Sequence, residues 1–233
     1  MELLQRREQE IFETLKKIQQ YSFVVIGGYA VNAYTLPRFS TDCDIVIKDD
    51  LEKAKIEEEL RQSGYVKEIH PQVNFPYQGT FARYVKELSS QFKVSMDLLI
   101  KEVVDRRSQA RFTVEWVFEQ AQRRLLKGKT ITETLKVLII NPEALLVMKF
   151  ISCRNTDIRD IFMLAPLMKE VSWIQDEISK QLDFQKNFLV IKEKITSPEF
   201  KNNLQGVQGY IDQKTFEKHQ QAVLELEKRA ETG

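Results

Sequence analysis

Three aspartates have a spacing that could do chemistry. Asp42 and Asp44 flank Cys43 in the segment TDCDIVIK, and Asp97 sits inside the apolar run VSMDLLI. Residues i and i+2 of a strand point to the same face. Asp42 and Asp44 should therefore present two carboxylates side by side, with Cys43 turned to the opposite face for packing. An unpaired carboxylate is expensive to bury, so Asp97 needs a partner within its apolar strand. If that strand pairs beside the first, a third carboxylate reaches the same place; Asp105 is another acidic residue that could fill this position. Two unit charges about 5 Å apart repel by roughly 3 kcal/mol at an effective dielectric near 20. A divalent cation removes that cost. Mg²⁺ takes oxygen ligands, commonly a few carboxylates plus substrate phosphates, and a pair of ions can clamp both oxygens of an in-line displacement.

Gly27 and Gly28 suit the same chemistry. Without a Cβ the backbone can turn sharply and come close to phosphate oxygens, and a helix starting there would aim its N–H groups at them.

The elements that must position these residues follow from hydrophobic periodicity. Residues 2–20 read as an amphipathic helix carrying Leu3, Leu4, Ile11, Leu15 and Ile18. Phe23–Ile26 reads as a buried strand, Tyr29–Leu36 as a helix stopped by Pro37, and Cys43–Ile47 as a second strand. A charged helix over Leu51–Gln62 is closed by Gly64, and Tyr65–Ile69, Phe81–Leu88 and Phe92–Ile100 are further strands. The HPQVNFPYQG segment between the first two of these is loop-like. Such an order predicts an α/β (α+β) chain: a mixed sheet with flanking helices, followed by a helical C-terminal region. The expected division is a catalytic domain over 1–105 and a mainly helical domain over 106–233. Leu135–Ile140 could be strand or helix. Asn141-Pro142-Glu143 is a helix start, with Asn as N-cap and Pro at the first position. Helices are expected over 143–154, 157–169, 171–182 and 213–230. In the last of these, Phe216, Val223, Leu224 and Leu226 form a stripe that is either core or a dimer surface.

Composition narrows the field. With 42% hydrophobic residues in 233, the chain can bury a substantial core. The net charge of +1 offers no global attraction to nucleic acid or anionic membranes, so an RNA partner would need a local basic patch. Arg106, Arg107, Arg111, Arg123, Arg124, Lys127 and Lys129 could form one, or could be a solvated helix face. Two distant cysteines, Cys43 and Cys153, argue against a disulfide framework or a zinc site and favour a reducing, cytoplasmic compartment. Met1 leads into a charged stretch rather than an apolar one, so no signal peptide is expected. The longest apolar runs are too short to span a membrane. His70 and His219 are isolated and have no ligand spacing.

Ile26-Gly27-Gly28, thirteen residues, then Asp42-Cys43-Asp44-Ile45 resembles the signature of the polymerase-β-like nucleotidyltransferase superfamily. Arg38-Phe39-Ser40-Thr41 is similar to the Arg-x-Ser/Thr lead-in of many members, although Arg38 could equally be a surface residue. A second stretch, LLVMKFISCRNTDIRDIFML, resembles the Lys…Arg-Asp helix pair of AbiEii-type toxins, with Lys149 and Asp160 matching. There the family often carries a further Asp where this chain has Met163. The plain alternative for Lys149 is a side chain snorkelling from a core edge. For Asp157, Arg159 and Asp160 it is a charge cluster suited to a helix start. The resemblance covers roughly residues 20–165.

The resemblance implies a Mg²⁺-dependent enzyme, with two ions, that moves an NMP from an NTP to a hydroxyl acceptor. Asp42, Asp44 and Asp97 would be the metal ligands, with Asp97 also acting on the acceptor hydroxyl. Gly27, Gly28, Arg38, Ser40, Lys149 and Asp160 would contact the nucleotide. The acceptor would be tRNA or another RNA for a toxin paired with a cognate antitoxin, or a small molecule as in antibiotic nucleotidyltransferases. A non-catalytic module that binds a nucleotide or a protein is the other reading.

Overall fold

The structure, a computed structural model, describes residues 2–69, 77–78 and 80–228. His70 and most of the loop expected before Phe81 lie outside the described residues. The strands are β1 (Phe23–Ile26), β2 (Asp42–Ile47), β3 (Val66–Lys67), β4 (Tyr77–Gln78), β5 (Phe81–Ser89), β6 (Phe92–Ile100), β7 (Glu102–Asp105), β8 (Arg111–Thr113), β9 (Ala121–Leu126) and β10 (Leu135–Ile140). The helices are α1 (Glu2–Ile18), α2 (Gly27–Asn32), α3 (Asp50–Gln62), α4 (Val114–Glu119), α5 (Pro142–Ser152), α6 (Asn155–Leu164), α7 (Val171–Ser179), α8 (Phe184–Thr196), α9 (Phe200–Gln208) and α10 (Gln213–Glu225).

Seven strands form one mixed sheet in the order β3-β5-β6-β2-β1-β10-β9, and β4-β7-β8 form a small second sheet. β1 runs antiparallel to β2 and parallel to β10, while β2 runs parallel to β6. Strands with neighbours on both sides and helices on a face read as nearly continuous apolar runs. FVVI of β1 is buried throughout, and β2 is buried beyond its first residue. α1 packs on β6 and α3 on β2 and β6, burying Ile11, Leu15, Ile18, Ile56 and Leu60.

Contacts divide the chain into two compact units: Met1–Ala33 with Pro37–Ile140, and Tyr34–Leu36 with Asn141–Gly233. The break falls at Ile140, not near residue 105, because residues 106–140, assigned to the mainly helical domain, instead supply three strands, β8, β9 and β10. β9 and β10 pair along their whole length, and β10 joins the main sheet beside β1. α2 begins at Gly27 and ends at Asn32, earlier than the pattern predicted. The strand expected over Tyr65–Ile69 shrinks to two residues.

The second unit is helical among its described residues. Asn141 caps α5, its side chain accepting from the Ala144 N–H at 2.8 Å. α8 and α9 are two helices that the sequence reading did not assign. The α10 stripe is largely core: Phe216, Val223 and Leu226 are buried. No helix among the described residues is long and apolar enough to cross a membrane.

One buried carboxylate ties α1 to the β9–β10 connection. Glu8, 1% exposed, accepts from Lys129 N at 2.6 Å, Thr130 N at 2.8 Å and Thr130 Oγ1 at 2.7 Å. A Cβ on Gly128 would fall 2.9 Å from the Glu8 carboxyl carbon, so glycine lets this loop close onto it. Hydrogen bonds to a charged group contribute about 1.5–3 kcal/mol, and stranded buried donors add to the loss. Glu8→Ala should therefore destabilise the protein by roughly 3 kcal/mol or more, read as a lower urea midpoint with an unchanged m-value.

Candidate active site

The sheet's pairing decides where the aspartates meet. β2 lies beside β6 in parallel register, with Asp44 opposite Asp97 and Asp42 opposite Ser95. Asp42 and Asp44 share a face by strand alternation, and the pairing adds Asp97 to that face. Each of the three offers a carboxylate oxygen within 4.8 Å of the others. Asp97 is fully buried, Asp44 is 6% exposed and Asp42 is partly exposed, so the group opens to solvent at the Asp42 end. Cys43 points the other way into the core. Burial, with the neighbouring aspartates adding to it, pushes its thiol well above the usual range, so it stays protonated. Asp105 is not the third carboxylate. It closes its own turn, accepting from Arg107 N, Ser108 N and Ser108 Oγ at 2.8–3.0 Å.

The Gly-Gly pair forms the first turn of α2, immediately against this group. Gly27 has φ +66°, and a Cβ there would sit 1.9 Å from Asp44 Oδ2. A Cβ on Gly28 would sit 2.4 Å from Ser40 Oγ and 3.3 Å from Arg38 Nη2. The two glycines thus let the backbone touch Asp44 on one side and the Arg38–Ser40 loop on the other. Asn32, fully buried, holds that loop: its Nδ2 donates to Arg38 O at 2.8 Å, and its Oδ1 accepts from Arg38 N at 3.0 Å. The sequence reading missed Asn32; the signal available was a buried amide at the end of a short apolar helix.

It also missed Arg83. This β5 residue sits opposite Asp97 in the ladder. Its Nε donates to Asp97 Oδ1 at 2.7 Å and its Nη2 to Asp97 Oδ2 at 2.5 Å, while Nη2 lies 3.5 Å from Asp42 Oδ2. Burial pulls the Arg83 pKa down, but the hydrogen bond and charge of Asp97 outweigh it and leave it raised. Burial pushes the Asp97 carboxyl up to about 6, against the opposing pull of Arg83.

Lys149 and Asp160 lie in the second unit and meet there. Lys149 Nζ donates to Asp157 Oδ1 at 2.9 Å and lies 3.0 Å from Asp160 Oδ2. Its side chain is 13% exposed and that of Asp160 is fully buried. Lys149 therefore does not snorkel to solvent but joins α5 to α6 through a buried ion cluster. Asp157 also accepts from Arg154 N at 3.1 Å, fixing the start of α6. Met163 is buried, and His219 stacks on Phe162, with its Nδ1 2.9 Å from the Phe162 carbonyl. The basic residues after 105 do not form one helix face: Arg106 and Arg107 lie in a turn, Arg111 pairs with Glu102 on neighbouring strands, and Arg123 and Arg124 are on β9.

The donor set of the aspartate group fits a hard divalent cation such as Mg²⁺: all the ligand atoms are carboxylate oxygens, close together, with one end open.

A family described as "Nucleotidyltransferase of unknown function (DUF6036)" matches residues 2–211 of the chain. No curated protein matches it by sequence. Solved structures that share its fold include a mycobacterial and a Helicobacter protein. MenT4, a nucleotidyltransferase toxin from Mycobacterium tuberculosis H37Rv, has a TM-score of 0.55 at 11% identity, covering 98% of this chain and 84% of its own. JHP933 from Helicobacter pylori has a TM-score of 0.51 at 14% identity, covering 97% and 92%.

A cation must find Asp97 ionised, since metal ligands bind deprotonated. The raised Asp97 pKa makes the carboxylate available above about pH 6 and protonated below it. Mn²⁺ affinity, followed by calorimetry, should be flat above neutral pH and fall roughly tenfold per unit below about pH 6. Gly27→Ala imposes both a positive φ and a clash with Asp44, and should cost more than about 1 kcal/mol of stability while weakening Mn²⁺ binding.

Proposed function

The chain belongs to the DUF6036 family of nucleotidyltransferases, and we propose that it moves a nucleoside monophosphate from an NTP to a hydroxyl acceptor with release of pyrophosphate. The observation that carries this reading is the in-register pairing of β2 and β6, which sets Asp97 beside Asp44 and Asp42 on one face. Asp42, Asp44 and Asp97 would hold divalent cations, Mg²⁺ by their all-oxygen donor set. The bound metal would supply Lewis-acid stabilisation of charge on the phosphoryl oxygens.

The chain's own groups do the rest. The backbone at Gly27 and Gly28, together with Ser40 and the Arg38 guanidinium, would bind and orient the triphosphate; the short distances at which a Cβ would meet Asp44 and Ser40 support this. Asn32 keeps the Arg38 loop in place. Asp97 would accept the proton of the acceptor hydroxyl as its oxygen bonds to the α-phosphorus and the bond to the pyrophosphate oxygen breaks. Lys149 with Asp160 we assign to holding α5 and α6 together within the second unit, a role their buried pairing supports.

For the acceptor we favour RNA. The AbiEii-type resemblance points to it, a toxin shares the fold, and β9, an edge strand, carries exposed Arg123 and Arg124 with Lys127 following. A toxin of this kind would have a cognate antitoxin protein. Cys43 and Cys153 are buried and not joined in a disulfide, which supports a reducing, cytoplasmic setting.

The test is label transfer from each α-labelled NTP, with Mg²⁺ and total cellular RNA, for wild type and Asp42→Ala/Asp44→Ala. We expect a labelled RNA band in wild type that drops at least about a hundredfold in the double variant. Label on a small hydroxyl compound instead would move the acceptor to the antibiotic-type class. Nucleotide binding with no pyrophosphate release from any acceptor would make the chain a binding module and overturn the proposal.

A further inference from the structure

Arg83 takes no part in the reaction proposed above, yet it contacts two of the three carboxylates. It reaches them from β5, directly across the ladder from Asp97. Its fork grips both Asp97 oxygens, and the same Nη2 stands 3.5 Å from Asp42 Oδ2. The side chain is 19% exposed and Asp97 not at all. A bidentate arginine–carboxylate pair is a strong, geometrically specific contact, and it engages both oxygens through which Asp97 could ligate a cation. Divalent and guanidinium charges held on the same carboxylate repel each other in this sheltered setting. Without any cation, three carboxylates within 4.8 Å would repel one another in the folded state.

We propose that Arg83 is the built-in counter-cation of the triad, neutralising Asp97 and Asp42 before metal arrives and being exchanged from them as a divalent cation enters. This rests on the reading of the triad as a metal site. The exchange lets the chain fold unloaded and sets metal affinity by competition. Arg83 is accordingly a positioning residue, acting through Asp97.

The experiment measures Mn²⁺ binding by electron paramagnetic resonance, and melting temperature with and without Mn²⁺, on the full chain. Wild type, Arg83→Gln, Arg83→Lys and Asp44→Asn are compared. Arg83→Gln should bind Mn²⁺ roughly tenfold more tightly than wild type, within the usual range of couplings between ligands. It should also melt lower than wild type without metal and gain more on adding Mn²⁺. Arg83→Lys keeps the charge but loses the fork, and should fall between the two. A merely structural role for Arg83 would lower stability without raising metal affinity. Folding of Arg83→Gln only when Mn²⁺ is present would support the proposal. If it folds under neither condition, Arg83→Lys decides, and wild-type or weaker affinity in that variant overturns the proposal. Asp44→Asn tests the underlying reading separately. If it abolishes binding while Arg83→Gln binds no more tightly than wild type, the metal site stands and the counter-cation falls. If no chain binds Mn²⁺, both fall.

Discussion

Like charge held at close quarters is the constraint around which the first unit is organised. The parallel register of β2 and β6 sets Asp44 directly beside Asp97, and strand alternation adds Asp42. Nothing in the hydrophobic packing of those strands calls for three acids on one face. The surrounding architecture compensates: Arg83 grips Asp97 from the next strand, and glycine brings the backbone against Asp44 where a side chain would collide. Asp97 and Asp44 are buried, and that burial raises the cost of the charge they carry.

The second unit handles a similar problem on a smaller scale. There one ammonium serves two aspartates, and Asp157 has a second task at the start of α6. This cluster is sealed within a helical pair. The aspartate group of the first unit is instead open at Asp42. That contrast separates a buried ion cluster that locks two helices from one with room for an incoming ion.

Legibility followed the range of the forces involved. Local alternation and the apolar–Gly-Gly–helix–Asp-x-Asp order made Asp42, Asp44, β1, β2 and β6 readable, because each depends on neighbours in sequence. Asp97 was readable through the expense of an acid in VSMDLLI. Arg83 was not, since only cross-strand register brings it to Asp97. After residue 105, β8 and β9 were missed because a short segment such as Arg111–Thr113 carries almost no periodicity and AQRRLL is largely exposed along an edge, while Leu135–Ile140 stayed open between strand and helix. α8 was a different failure: Phe184, Phe188, Ile191 and Ile195 are spaced as a helical face and are buried, but the many lysines between them diluted the pattern.

The place of β10 beside β1 bears on how the chain assembles. Val25 pairs with Ile139, so an inner strand of the sheet must wait for a partner made after nearly all of the first unit. Such non-local, parallel pairing is entropically late and slow. During synthesis, β1 leaves the ribosome with one flank unsatisfied, and that exposed strand edge is a hazard for association with other chains. The antiparallel β9–β10 hairpin, built from residues close in sequence, can form as one piece and close the edge in a single docking event. Glu8 fastens that hairpin's loop to α1, so elements far apart in the unit's sequence are tied together through one side chain.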